Sequence, residues 1–182
     1  MNLKLPIFVY CIIFFLTSCS MGKESLIFDQ GTKEIKVYFT KSKSPEEISF
    51  VPVKRKVHKE DSSIDATLRE LFLGPTKKEE IKGIMTEIPL GTRLIKVEES
   101  DDDILIDLSS QFLTGGGSAT MQLRYLQLYK TLKNIAFGKT IYLYADGKSI
   151  KTIGGEGLEV SQPLMNIGDY TKKPETSEDL QP

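Results

Sequence analysis

Ile104-Leu105-Ile106-Asp107-Leu108-Ser109-Ser110 leads into Thr114-Gly115-Gly116-Gly117-Ser118, and residues 119–137 follow as one long mixed run. The reading of this stretch decides the fold. Ile104, Ile106 and Leu108 alternate with Leu105, Asp107 and Ser109, the period of a strand with one face buried deeper than the other. Three consecutive glycines sustain no regular element, and Ser118 stands where a helix N-cap belongs. Beyond it Met121, Tyr125, Leu128, Leu132 and Ile135 recur at alternating steps of four and three. That spacing gathers them on one helix face and turns Arg124, Gln127 and Lys130 away from it. Strand, turn and helix result, and the apolar helix face requires a sheet to cover it.

Working outward, Ile35, Val37 and Phe39 alternate with Lys36 and Tyr38 as a first strand, residues 40–47 read as a turn, and residues 50–57 read as a second strand. Pro52 suits an edge or a bulge there. A first helix is expected from Ser62-Ser63, where Ser62 and Asp65 imitate a capping box and Ile64, Leu68, Leu71 and Phe72 share one face. Gly74-Pro75 stops it, and Thr76 with Glu79 starts a shorter helical turn that has Ile81 as its apolar contact. Ile88-Pro89-Leu90-Gly91-Thr92 turns the chain into a strand of Leu94, Ile95 and Val97, and residues 98–103 form an acidic tip before the next strand. Ile141, Leu143 and Ala145 alternate in a further strand, which Asp146-Gly147 turns back onto residues 149–153. The pattern is α+β: a single domain with two main helices packed on one face of a mostly antiparallel sheet. Residues 161–182 are expected to be a polar, disordered tail.

The same segments carry a family resemblance. Asp107-Leu108-Ser109-Ser110-Gln111-Phe112-Leu113, the glycine-serine turn and Arg124-x-x-Gln127-Leu128-x-x-Thr131-Leu132 resemble the second half of a GerMN domain, the sporulation and germination module of bacterial envelope proteins. Leu71-Phe72-Leu73-Gly74-Pro75-Thr76 and Ile88-Pro89-Leu90-Gly91-Thr92-x-Leu94 resemble its first half. The resemblance spans residues 35–160 and implies a β-α-β-β-α-β arrangement similar to ring-building modules of envelope assemblies. Its motif residues are Gly74, Pro75, Thr76, Pro89, Gly91, Thr92, Asp107, Ser109, Gln127 and Thr131. The connection over residues 134–139 is shorter than the family pattern.

Residues 1–18 read as a targeting segment. Lys4 gives a positive start, and residues 5–16 carry no charge but are too few to span a bilayer, which takes about 20 apolar residues. The segment ends in Leu16-Thr17-Ser18-Cys19, which resembles the lipobox of bacterial lipoproteins, with cleavage between Ser18 and Cys19 and lipid on Cys19. An ordinary cleaved signal or an uncleaved anchor are the alternatives. Residues 19–34 are then a lipidated tether, with Leu26-Ile27-Phe28 as a small apolar patch. Two or more acyl chains would hold the body at an extracytoplasmic membrane face without inserting it.

Little chemistry is available to the body. The net charge of −1, with 27% charged residues, argues against nucleic-acid binding, and Lys54-Arg55-Lys56 reads as a solvated strand edge. Both cysteines fall within the first nineteen residues, so nothing downstream offers a disulfide, a thiolate nucleophile or a Cys-ligated metal. His58 is the lone histidine and reads as exposed. Asp101-Asp102-Asp103 with Glu98 and Glu99 lack the alternate spacing and bend glycine of a calcium loop. Gly116-Gly117-Ser118-Ala119-Thr120 lacks the second glycine of a nucleophile elbow. The turn of Gly115, Gly116, Gly117 and Ser118 could cradle an anion or a partner on its backbone N–H groups, but no Gly-Lys-Ser or Gly-Lys-Thr follows. Asp107 is the carboxylate of first interest, and its simplest role is to end a strand and accept backbone hydrogen bonds. No metal or cofactor is expected.

The resulting expectation is a non-enzymatic, lipid-anchored envelope protein that docks other envelope proteins. Binding of peptidoglycan or a small envelope ligand is the alternative, and an undetected hydrolase is a distant third. Self-association is left open.

Overall fold

Strict alternation of apolar and polar side chains makes the first hairpin. The computed structural model describes residues 31–44, 47–154 and 157–167. Strand β1 (Thr32–Ser44) buries Ile35, Val37 and Phe39 and pairs antiparallel along its length with β2 (Glu47–His58). The turn expected over residues 40–47 is therefore shorter: Lys41 lies opposite Ser49 and Ser42 opposite Ile48, because the ladder outlasts the apolar alternation. β2 is the outer strand, where Pro52, lacking an N–H, removes no ladder bond on its solvent side.

The first helix, α1 (Ser63–Leu73), starts as expected, with the Ser62 hydroxyl accepting from the Asp65 N–H at 3.4 Å. Ile64, Leu68 and Leu71 are buried on its inner face. A single turn, α2 (Lys77–Glu80), follows, and the Glu79 carboxylate accepts from the Thr76 N–H at 2.8 Å. Ile81, expected to pack, stands 86% exposed because the helix ends there. The two-residue β3 (Ile84–Met85) then pairs with Thr40 and Lys41 on the other edge of β1.

A second ladder runs β4 (Leu94–Glu99), β5 (Asp103–Leu108), β6 (Thr140–Ala145) and β7 (Lys148–Ser149). Its β5–β6 pair is parallel, and helix α3 (Ser118–Lys133) is the crossover that makes this possible. The acidic segment is the β4–β5 hairpin tip, closed by the Ser100 N–H on the Asp103 carbonyl. Asp146 (φ 47°) and Gly147 (φ 74°) make a two-residue turn into β7, both in the left-handed region that matches strand twist. Pairing back stops at Ser149, and β8 (Thr152–Ile153) pairs instead with β9 (Leu158–Glu159).

The architecture is the expected α+β domain. Both α1 and α3 pack on β1, and α1 also meets β4. One core gathers Val37, Phe39, Leu68, Ile106, Phe112, Tyr125, Leu128 and Leu143. Residues 162–164, read from the sequence as tail, are tied into the fold. Leu164 is buried, its N–H bonds the Ile141 carbonyl at 2.7 Å, and Gln162 bonds both backbone groups of Leu143. Similarly, the domain starts before residue 35, since Thr32–Glu34 belong to β1. Residues 1–30, including Ser18, Cys19 and the Leu26 patch, and residues 168–182 lie outside the described residues.

Candidate functional site

Arg124 and Gln127 of α3 face inward, contrary to the sequence expectation, while Lys130 is half-buried. Arg124 is 2% exposed and Gln127 fully buried. Arg124 donates from Nε to the Glu87 carbonyl (3.1 Å), from Nη1 to Phe112 (2.8 Å) and from Nη2 to Gly115 (2.8 Å). Gln127 accepts from the Glu87 N–H at 2.8 Å and donates to the Thr86 hydroxyl at 2.9 Å. Thr131, one turn on, accepts from the Tyr38 N–H at 3.1 Å and donates to the Gln127 carbonyl at 2.8 Å. A polar seam thus fastens α3 to β1, to the segment before Ile88 and to the glycine turn. Burial lowers the Arg124 pKa, opposed by the nearby Glu87, whose own carboxyl is raised by the same desolvation.

The other motif residues are likewise engaged within the fold. Gly74 (φ 77°) ends α1, and Thr92 closes the 89–92 turn by hydrogen-bonding the Pro89 carbonyl through both N–H and hydroxyl. The Ser109 hydroxyl accepts from the Arg93 N–H at 3.0 Å. Asp107 takes its simplest role, both carboxylate oxygens accepting from the Gly147 N–H at 3.1 and 3.0 Å. Gly117 is the N-cap of α3 and Ser118 its first residue, so the helix starts one residue earlier than the expected Ser118 cap. The turn itself is exposed, and a Cβ on Gly116 (φ 86°) would sit 2.7 Å from Thr120 Cγ2.

The basic run of β2 also departs from expectation. Lys54 and Lys56 are exposed on the edge strand as read, but Arg55 turns inward. It clasps both oxygens of Glu79 at 2.7 Å, approaches Glu70 at 3.3 Å and lies 5.7 Å over the Phe39 ring. The Arg55 fork holds the Glu79 carboxyl down to about 2.

A cleft of about 310 Å³ opens where β1 begins, lined by Lys33, Lys36, Ser63, Asn134, Ile135 and Phe137 among others. Phe137 is 89% exposed and held at φ 44°, a conformation that a bulky side chain rarely adopts. Sequence reasoning missed this site. The available signal was an aromatic residue beyond the helical stripe, directly before Gly138. The cleft brings together none of the expected site residues. The lone His58 is exposed at the end of β2. No helix among the described residues is long and apolar enough to cross a membrane.

The model of the Germane family, described as sporulation and spore germination, matches residues 36–151. The chain belongs to the Germane family. Its fold is similar to the tandem GerMN domains of the sporulation protein GerM from Bacillus subtilis, with TM-score 0.56 and 22% identity over 74% of this chain and 45% of that one. It thus spans about half of that tandem structure. The first GerMN domain of the same protein gives TM-score 0.52 and 17% identity over 72% of this chain and 96% of that one. No curated protein matched the sequence. The polar seam, the Gly74 stop and the 89–92 turn all lie inside the span of the Germane match.

Proposed function

We propose that this Germane protein is a non-enzymatic envelope lipoprotein, held by lipid on Cys19, whose domain docks another protein at the extracytoplasmic membrane face. The observation that carries the reading is the employment of the family motif. Arg124, Gln127, Thr131, Thr92, Ser109 and Asp107 direct their polar atoms to bonds within the fold, so the motif builds a scaffold and leaves its surface for partners. The lipobox-like Leu16-Thr17-Ser18-Cys19 supports the anchor, and the family's place in sporulation and germination supports an envelope setting. Crosslinking in intact cells, with the intact mass of the purified protein, tests both halves. A diacylated Cys19 terminus and a saturable protein partner are the expected results. An unmodified cysteine overturns the anchor, and capture of no protein overturns the docking role.

A further inference from the structure

We infer that the open edge of β1 beside the cleft is a strand-addition site for an extended, acidic peptide segment of the docked protein, an inference that rests on the docking role proposed above. In a strand, alternate residues direct N–H and C=O to the same edge. The Tyr38 N–H points away from β2, to Thr131 on α3, so Lys36 and Glu34 offer their backbone groups to that same edge. Along it β3 covers Thr40 and Lys41 and Thr131 takes Tyr38, but among the described residues no strand covers Lys36 or Glu34. Native sheets cover or blunt such an edge with a bulge, a proline or a charged side chain; beside the cleft β1 has neither bulge nor proline, its register shift lying at Ser42 and Ser44, and its lysines are the charges that guard the edge.

The cleft supplies the rest of a peptide seat. Lys33 donates to the Ser63 hydroxyl at 3.1 Å and to the Asp61 carbonyl, both uncharged acceptors. Among the described residues neither Lys33 nor Lys36 has a carboxylate within ion-pair distance, while Glu34, the cleft's carboxylate, is taken by Lys54 at 2.9 Å. Lys36 stands directly opposite Lys54 across the ladder, and with Glu34 held by Lys54 the Lys36 ammonium is left to an outside anion. The half-buried Ile135 and the exposed Phe137 form the apolar wall. A strand of about four residues fits alongside Lys33 to Lys36 at roughly 3.3 Å per residue. Its acidic side chains would meet Lys36 on one face and its aliphatic ones would meet Ile135 and Phe137 on the other, the backbone giving affinity and the alternation specificity. The lysines also repel the equally basic β1 of a second copy, which selects against pairing of like chains.

The test uses the full chain in phosphatidylcholine nanodiscs and two end-blocked fluorescent pentapeptides, Glu-Ile-Glu-Val-Glu and Lys-Ile-Lys-Val-Lys. The acidic peptide binds saturably and slows amide exchange at Glu34 and Lys36, and the basic one does not. Lys36→Glu weakens the acidic peptide about tenfold and strengthens the basic one. The inference is overturned if Lys36→Glu leaves both affinities unchanged, or if the two amides stay unprotected. It is equally overturned if phosphatidylglycerol nanodiscs without peptide protect them, since the edge then meets lipid. If crosslinking in cells captures a protein whose yield is indifferent to Lys36→Glu, docking stands and this edge is not its seat.

Discussion

Replacing Arg124 with methionine asks whether this buried cation is a scaffold element. Methionine keeps most of the aliphatic stem and removes three donors, which now reach the Glu87, Phe112 and Gly115 carbonyls at 3.1, 2.8 and 2.8 Å. Hydrogen bonds from a charged donor contribute about 1.5–3 kcal/mol each, so three give a gross loss of about 4–9 kcal/mol. Against this, the variant no longer strips water from a guanidinium that has no carboxylate bonded to it, a relief of several kcal/mol. The expected net destabilisation is about 3 kcal/mol, or about 10 °C in Tm for a domain of this size. Thermal unfolding followed by circular dichroism measures it, and amide exchange in the glycine turn should quicken in parallel, because the Gly115 carbonyl loses its tie to α3. Partner capture below the new Tm should be unaltered. A Tm within about 2 °C of the parent would refute the three-carbonyl account. Lost capture with unchanged Tm would move Arg124 from scaffold to binding surface.

Acid should loosen the α2 corner. The Glu79 carboxyl, ordinarily near 4.5, sits at about 2 in the fold, so its pairing with Arg55 stabilises fully above 4.5 and fades as pH falls toward 2. Urea unfolding from pH 6 to pH 2 should show this slope, and Glu79→Gln should flatten it. Gly116→Ala, forced to φ 86° with its Cβ against Thr120, should cost about 2 kcal/mol, while Gly117→Ala, in open space at φ −90°, should change stability by less than about 0.5 kcal/mol. Equal effects in denaturant titrations would contradict the turn geometry. Phe137→Asn should relieve the left-handed backbone and raise stability by about 0.5–1 kcal/mol while weakening the acidic peptide. A destabilised Asn variant would show that the exposed ring contributes packing.

The elements were legible wherever one residue and its near neighbours set the structure. The alternation at Ile35, Val37 and Phe39, the Ser62 cap, the Thr76–Glu79 box and the Asp146-Gly147 turn depend on contacts a few residues apart. The direction of Arg124 and Gln127 was not legible. Periodicity assigns polar residues outward, and only the arrival of residues 86–87 and 112–115 makes an inward polar stripe affordable. Arg55 misled for the same reason, since its partners Glu70 and Glu79 come from two other elements. The cleft joins residues 33–36 to residues 134–137, whose local patterns are those of an ordinary strand and an ordinary helix end.

The bond from Tyr38 to Thr131 spans 93 positions, and it has a bearing on how the nascent polypeptide matures. The opening hairpin is synthesised first, yet its inner surface waits for a helix made much later, and β5 likewise waits for β6. A ribosome stalled before Thr131 therefore holds a hairpin whose Tyr38 N–H still lacks its native acceptor.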